Sequence, residues 1–252
     1  MRFDLHCHTR EGSIDARASI FDIAARLQAK GFDGMLVTDH NSFDGFDKCA
    51  DAAAKNGFVI LRGIEYDTRN AGHMLVILPD KVKCCLLAIR GMGVEHLIKL
   101  VHSHGGILGP AHPYGTGFFA LMHTRWSQRH MESLLDDFDF VETCNSGVKH
   151  EANARARRLA QYFGKVQTGG SDVHHLEDAG LAYTDISGDI RSNNELIAAI
   201  RRGEGITAAC KENPHGSENK IIKNAGIAGY WVMNKATAAL RLVQRRHVEK
   251  HI

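Results

Sequence analysis

The chain of 252 residues contains no apolar run long enough to cross a membrane, and its first residues, "MRFD", do not resemble a secretory signal. Its basic residues nearly balance its acidic ones, for a formal net charge of +2, so no strong field attracts anionic lipid or nucleic acid. These absences predict a cytoplasmic location and no membrane partner, and they argue against a nucleic-acid partner.

Several familiar chemical signatures are also missing. The six cysteines are scattered without a CxxC pair, which indicates reduced, mostly buried thiols rather than a disulfide framework or a zinc ribbon. There is no nucleophile elbow, phosphate-binding P-loop or Cys–His signature that would supply a protein nucleophile or hold a nucleotide. Nucleophilic catalysis by the chain itself is therefore not indicated.

Histidine, by contrast, is abundant, with 16 residues in a chain of near-neutral charge. Metal ligation is the commonest productive use of such a surplus. The opening stretch "DLHCHT" places His6 and His8 on one face of a strand, with Leu5 and Cys7 on the other, because successive side chains alternate. Two imidazoles on one face indicate either a metal clamp or a polar patch on a buried strand.

Short apolar runs alternate with helical patterns along the chain. Arg2–Leu5 and Ile107–Pro110 are typical of strands, and Val94–Ser103 and Asn193–Arg202 of amphipathic helices, each followed by glycine. The pattern predicts an α/β fold, either a β/α barrel or a doubly wound sheet, with parallel strands buried on both faces. We expect one barrel domain over residues 1–212. A polar turn and a helical extension with a basic end, over 213–252, should pack on it.

Polar residues recur where the predicted strands end, which is where function lies in such folds. They are His6 and His8, Asp39 and His40, Glu65, His73, His112, Glu142 and Asn145, and Asp172, His174 and His175. One such residue alone is more often a structural histidine or a helix cap. Together they would be too costly to bury without a cation. Nitrogen and oxygen ligands suit Zn, Mn or Fe, with Mg as a further option, and the set predicts two to three divalent ions.

The motifs "DLHCHT", "TDHNS", "GIEYDT", "GHMLVIL", "PAHP" and "GGSDVHH" resemble, in order and spacing, those of the PHP (polymerase and histidinol phosphatase) superfamily. The resemblance runs from His6 to about His174. It implies a single-domain, distorted (β/α)7 TIM-like barrel, the PHP fold, with a trinuclear metal site. Characterised members are mostly phosphoesterases.

Carried over by position, the resemblance implies three groups of ligands. One ion is held by His6, His8 and Asp172 with Glu65 as a bridge, and a second by Glu65, His73 and His112. The third is held by His40 and His174 with an acidic residue from the turn after the first strand. The stretch "TREGSIDA" departs from the commoner pattern, in which Asp follows Ser directly. That leaves Asp15 or Glu11, and we favour Asp15.

Residues outside the ligand set are assigned less directly. Glu142 and Asn145 are expected to support the ligands or to contact substrate. Arg17, Arg69 and Lys149 follow strand-end motifs and are candidates for binding phosphate, although a basic residue at such a position is more often a surface charge. A histidine at the rim, His175 or His123, is a candidate for protonating a leaving group.

The predicted function is a metal-dependent phosphoesterase in which a metal-activated hydroxide attacks a small phosphomonoester. The catalytic residues would be His6, His8, Glu65, Asp172 and His174. The intervals from His40 to Glu65 and from His112 to Glu142 leave little room for a cap domain, which favours a small phosphorylated substrate. Alternatives are a histidinol-phosphate phosphatase, an amidohydrolase-like metal hydrolase and a non-catalytic, metal-stabilised PHP scaffold. The native metal, the physiological substrate and assembly into a homo-oligomer stay open.

Overall fold

A computed structural model describes residues 1–211, and the extension predicted over 213–252 lies outside the described residues. The strands are β1 (Arg2–Cys7), β2 (Gly34–Val37), β3 (Val59–Asp67), β4 (His73–Ile77), β5 (Ile107–Pro110), β6 (Phe140–Asn145), β7 (Val166–Gly170), β8 (Ala182–Ile186) and β9 (Ile206–Cys210). The helices are α1 (Ile20–Ala29), α2 (Asp44–Ala53), α3 (Val94–Ser103), α4 (Arg125–Arg129), α5 (Met131–Asp137), α6 (His150–Tyr162) and α7 (Asn193–Arg202).

Seven strands form one curled sheet in the order β5-β4-β3-β2-β1-β8-β9, and β6 and β7 form a parallel pair. Strands β1, β2 and β3 are parallel, whereas β4 runs antiparallel to both β3 and β5. The parallel pairing expected of the buried strands is therefore found for β1 to β3 and for β6 with β7, whereas β4 and β8 are antiparallel to their neighbours. The β3–β4 connection is too short for a parallel crossover, so β4 returns as a hairpin.

The β6–β7 pair closes the ring. On one side, the backbone N–H of Asp139, which directly precedes β6, donates to the carbonyl of Leu108 in β5. On the other, Asp172 donates to the carbonyl of His6, and Val173 forms a parallel bridge with Cys7. Strands β1 to β7 thus enclose one barrel, β8 pairs with the start of β1 and β9 pairs with β8, and the predicted distorted TIM-like barrel is confirmed.

The barrel interior is filled by large apolar side chains, among them Phe3, Leu5, Leu36 and Phe140, with Ile200 of α7 packing into the same cluster. Helix α7 is capped at its start by Ser192, whose side chain accepts from the N–H of Glu195, and at its end by Gly203, in the left-handed conformation that glycine adopts without strain. The carboxyl end of the barrel is left to polar residues.

Leu5 and Cys7 do not share a face as expected. Leu5 packs with Phe3 in the barrel interior, whereas Cys7 packs among residues of α1 in a separate cluster. The register between β1 and β2 shifts between Asp4 and Cys7, and such an irregularity breaks the two-residue alternation. All six cysteines are free, as predicted. None of the helices within residues 1–211 has the length and apolar character needed to cross a membrane.

Candidate metal centre

Glu65 of β3 lies at the centre of a cluster of imidazoles at the carboxyl end of the barrel, and its side chain is 1% exposed. Its Oε1 faces two ring nitrogens, at 2.9 and 3.0 Å, those of His73 and His112. Its Oε2 faces three more, at 3.2, 3.2 and 3.5 Å, those of His8, His40 and His6. One carboxylate therefore offers its two oxygens to two different groups of histidines.

The first group comes from the end of β1 and the turn after β7. The Nε2 atoms of His6 and His8 are 3.1 Å apart, and Asp172 Oδ1 lies 3.5 and 3.2 Å from them. Strand β7 delivers Asp172 to this place because the N–H of Asp172 pairs with the carbonyl of His6. The structure thus brings together the set His6, His8, Asp172 and Glu65.

A further group lies on the more open side of the cluster. Asp15 Oδ2 is 3.1 Å from His174 Nε2 and 3.5 Å from His40 Nε2. Glu11 points elsewhere, since its Oε2 accepts a hydrogen bond from the N–H of Ile20 at the start of α1. Of the two acidic residues that the turn offers, only Asp15 contacts these histidines.

Buried polar residues contact the ring nitrogens of His6 and His8 that face away from Glu65. Glu142 Oε1 lies 2.9 Å from His6 Nδ1, and Asn145 Nδ2 donates to Glu142 Oε2 and to Asp172 Oδ2. Ser13 Oγ is 3.2 Å from His8 Nδ1. Glu142 and Asn145 are 1% and 0% exposed. Both side chains therefore contact proposed ligands, and the expectation that they contact substrate stays a prediction.

Sequence reasoning missed Asp67, the last residue of β3. Its Oδ1 lies 3.4 Å from His40 Nδ1 and 3.2 Å from His73 Nε2, and its Oδ2 is 2.9 Å from Nη2 of Arg90. The signal was available, because Asp67 lies two residues beyond Glu65 and a strand presents such residues on one face. Arg90 had no comparable signal, since it belongs to the irregular segment after β4.

Two of the proposed ligands have unusual backbone conformations. His112 and Asp172 have φ values of 29° and 56°, in the region that residues other than glycine rarely adopt. Such conformations cost about 1–3 kcal/mol each and persist where the surrounding structure enforces them, most often at functional sites. The N–H of His112 is held by Glu142 Oε2 at 2.7 Å.

The cluster is strongly coupled electrostatically. Burial alone raises the pKa of Glu65, but the neighbouring charges of His73, His40 and His6 outweigh it and hold the pKa well below its ordinary value. The pKa of Asp172 is likewise well below its usual range, against burial, because of His6 and its neighbours. Burial lowers the pKa of His6 and His40, yet the carboxylates around them raise it well above normal.

These residues fit divalent metal ions. Two atoms that each lie about 2.1 Å from a shared ion are about 3.0–3.4 Å apart at octahedral or tetrahedral angles, and the separations here run from 2.9 to 3.5 Å. Three groups offer ligand atoms that all lie within 4.8 Å of one another, close enough to hold an ion: His6–His8–Asp172, His40–Glu65–His73 and His8–His40–His174. In addition, the buried Oδ1 of Asp15 has no hydrogen-bond partner within residues 1–211.

The candidate substrate contacts are placed unequally. Arg17 is exposed, and its backbone N–H donates to the carbonyl of His174 at 2.9 Å, which places it beside the open side of the cluster. Half-buried His175 follows directly and begins the turn Leu176–Asp178. Arg69 and Lys149 are exposed, and the structure brings neither into hydrogen-bond or ion-pair contact with the described residues of the cluster. Exposed His123 ends a short 3-10 turn.

Solved structures with a similar fold include a proposed phosphoesterase and an endonuclease. A protein from Bifidobacterium adolescentis, proposed as a metal-dependent phosphoesterase, matches at a TM-score of 0.56 with 16% identity, over 80% of this chain and 96% of its own. The lesion-specific endonuclease PfuEndoQ from Pyrococcus furiosus matches at 0.59 with 19% identity, over 82% of this chain and 58% of its own. Because an endonuclease that acts on a nucleic-acid duplex has a similar fold, the expectation against a nucleic-acid partner is not supported.

Curated relatives match a shorter segment. A PolC-type DNA polymerase III from Latilactobacillus sakei is 34% identical over 82 residues, which are 32% of this chain and 6% of the polymerase. At the family level, the PHP-associated family matches residues 150–204, and the PHP domain family matches residues 4–167, more than half of the chain. The predicted resemblance is confirmed, and the chain belongs to the PHP domain family.

Proposed function

We propose that this chain is a metal-dependent phosphoesterase that hydrolyses a small phosphomonoester at a centre of up to three ions. The observation that carries the proposal is Glu65, whose two buried oxygens face two separate groups of histidines. His6, His8 and Asp172 would hold one ion, His73 and His112 a second, and His40, His174 and Asp15 a third, with Glu65 as the bridge.

Divalent ions held there lower the pKa of water and neutralise charge on a phosphoryl group. The chain itself positions the ions and determines the side from which substrate reaches them. His6, His8 and Glu65 are almost fully buried, whereas the side chains of His174 and Asp15 are 31% and 28% exposed, so substrate approaches from their side. Arg17 lies on that side and supplies a cation for phosphate oxygens. His175 is the proposed donor of a proton to the leaving oxygen.

The test is hydrolysis of a panel of phosphorylated metabolites, including histidinol phosphate, by protein loaded with Mn, Fe or Zn. Glu65→Gln and His6→Ala should lower kcat/KM by at least about 100-fold, because several kcal/mol of charge stabilisation are lost. Asp189→Asn, at an exposed ion pair with Arg191, is the matched control and should retain activity. Full activity in a chelator-stripped sample would contradict the proposal. A protein that binds metal without turnover would favour the scaffold alternative.

A second candidate is cleavage of a phosphodiester in nucleic acid, which the likeness to PfuEndoQ favours. The same ligand set would serve, since the scissile group is again a phosphoryl centre. Incubation of the Mn-loaded protein with a duplex that contains an abasic site separates the two. Cleavage of the duplex without turnover of phosphomonoesters would replace the first proposal with this one. An amide or lactone panel tests the amidohydrolase-like alternative in the same way.

A further inference from the structure

Asp67 and Arg90 form a buried pair beside the histidine cluster, and neither belongs to the ligand set above. The Oδ2 of Asp67 lies 2.9 Å from Arg90 Nη2, and the two side chains are 4% and 14% exposed. A carboxylate and a guanidinium removed from water need each other, since either alone would be a costly buried charge. The pair is therefore a fixed part of the site rather than a surface contact.

The other oxygen of Asp67 faces two histidines at once. Its Oδ1 lies 3.4 Å from His40 Nδ1 and 3.2 Å from His73 Nε2. His73 presents its opposite nitrogen, Nδ1, to Glu65 at 2.9 Å, and His40 presents its opposite nitrogen, Nε2, to Asp15 at 3.5 Å. His40 Nδ1 also lies 3.2 Å from Glu65 Oε2. The two rings belong to different proposed ions, and Asp67 lies between them.

The backbone around the pair holds it in place. The segment after β4 is tied to the end of β3, because Gly91 donates to the carbonyl of Asp67 and Tyr66 donates its hydroxyl to the carbonyl of Ile89. On the other side, the N–H of Asp67 donates to Asn41 Oδ1 at 3.0 Å, and Asn41 directly follows His40. Asp67 thus has both its carboxylate and its backbone fixed relative to His40.

From this geometry we infer that Asp67, anchored by Arg90, is a positioning residue that sets the ring orientation and tautomer of His40 and His73 and so couples two ions of the centre. A histidine ligand generally donates its second ring N–H to a carboxylate or carbonyl, and loss of such a partner weakens metal binding by about 10–100-fold. Here Oδ1 of one carboxylate lies 3.4 and 3.2 Å from a ring nitrogen of each of two ligands, the position from which it would accept both N–H groups when the ions are bound. The inference rests on the metal centre of the proposed function and extends it to residues outside the ligand set.

The test is equilibrium dialysis of the full chain against Mn(II) with elemental analysis, supported by anomalous diffraction to locate the ions. In Asp67→Asn, ions held by His40 and His73 should bind about 10–100-fold more weakly, while the ion of His6, His8 and Asp172 keeps its affinity. The matched control is Glu142→Gln, which removes the charge behind His6 and should show the reverse selectivity. The inference would be overturned if Asp67→Asn bound every ion as the unaltered protein does, or if it bound all ions equally more weakly. Complete loss of one ion at saturating Mn(II) would also overturn it, because Asp67 would then be a ligand.

Arg90 provides a second set of variants that does not alter the carboxylate. Arg90→Met should weaken the same ions by a smaller factor, and Arg90→Lys should restore binding towards that of the unaltered protein because a cation again faces Asp67. Unfolding temperatures in chelator show whether a variant is folded before metal is added. If the unaltered protein binds no ion, the proposed function fails. If it binds its ions and both Asp67→Asn and Arg90→Met match it, only the present inference fails.

Discussion

His174 is the most exposed imidazole of the cluster, and its charge is set by two carboxylates. Burial lowers its pKa, but the hydrogen bond to Asp15 and the charges of Asp172 and Asp15 raise the pKa to about 9. Its unfolded value is about 6.5. A raised pKa stabilises the folded state fully below the unfolded value, and that contribution is lost as the pH rises through the folded value.

Chelator-treated protein should therefore lose stability between about pH 6.5 and pH 9, and His174→Asn should flatten this decline. The measurement is the unfolding temperature in chelator at half-unit pH steps for both proteins. His96→Asn, at an exposed histidine of α3, is the control and should follow the unaltered protein. Equal slopes for His174→Asn and the unaltered protein would contradict this assignment.

At the residue scale, strand-end reasoning located the imidazoles that the structure brings together but not all of the carboxylates beside them. Sequence favoured Asp15 without excluding Glu11, because the choice depends on the path of the turn, in which Glu11 bonds the start of α1. Asp67 was missed because β3 was predicted to end at Glu65, two residues early. Substrate contacts are the least predictable, since exposed Arg and Lys residues carry no pattern.

Strands β1 and β7 meet at a glycine, and this contact is specific enough to test. A Cβ at Gly170 would lie closer to the Cβ and the backbone nitrogen of His6 than real contacts allow. Gly170→Ala must therefore push β1 away from β7, at a cost of about 1–3 kcal/mol as for other overpacked sites. Because His6 and Asp172 are held across this contact, their ion should also bind more weakly.

The check combines chemical denaturation in chelator with a metal titration. Gly93→Ala is the matched control, since its nearest neighbour would be a flexible Arg69 nitrogen at 3.4 Å and its backbone, at φ −66°, suits alanine. Wild-type stability in Gly170→Ala would show that β1 and β7 can separate without cost, which would argue against the close packing described here.

Helices and strands that show a clear apolar pattern and are bounded by glycine could be predicted from the sequence. Helices α3 and α7 and strand β5 have the bounds expected from sequence, because a heptad-like apolar face or a short apolar run is delimited by glycine. Strand β8 and helices α4 and α5 were not predicted. The stretch "AYTDI" is partly exposed and lacks an apolar run, and α4 and α5 are too short for a period to show.

Barrel closure is a property of the whole molecule that local patterns do not contain. Alternating strands and helices fit a barrel and a doubly wound sheet equally well. The difference lies in whether the β6–β7 pair reaches both β5 and β1, and the contact with β1 joins residues more than 100 positions apart, such as Asp172 and His6. The family resemblance, rather than the periodicity, decided this point.

The proposed ligands come from β1, β2, β3, β4, β5 and the turn after β7, so bound ions would join almost the whole ring. A ligand that binds only the folded state stabilises it by about 2.7 kcal/mol at one hundred times its dissociation constant, which corresponds to about 5–10 °C in a chain of this size. We therefore expect Mn(II) to raise the unfolding temperature by at least this amount relative to protein in chelator. Glu65→Gln should remove most of this rise in unfolding temperature, because the bridge between the ions is lost. Asp189→Asn should leave the rise unchanged. Coincident unfolding curves with and without Mn(II) would show that the cluster is a polar network that folds without ions.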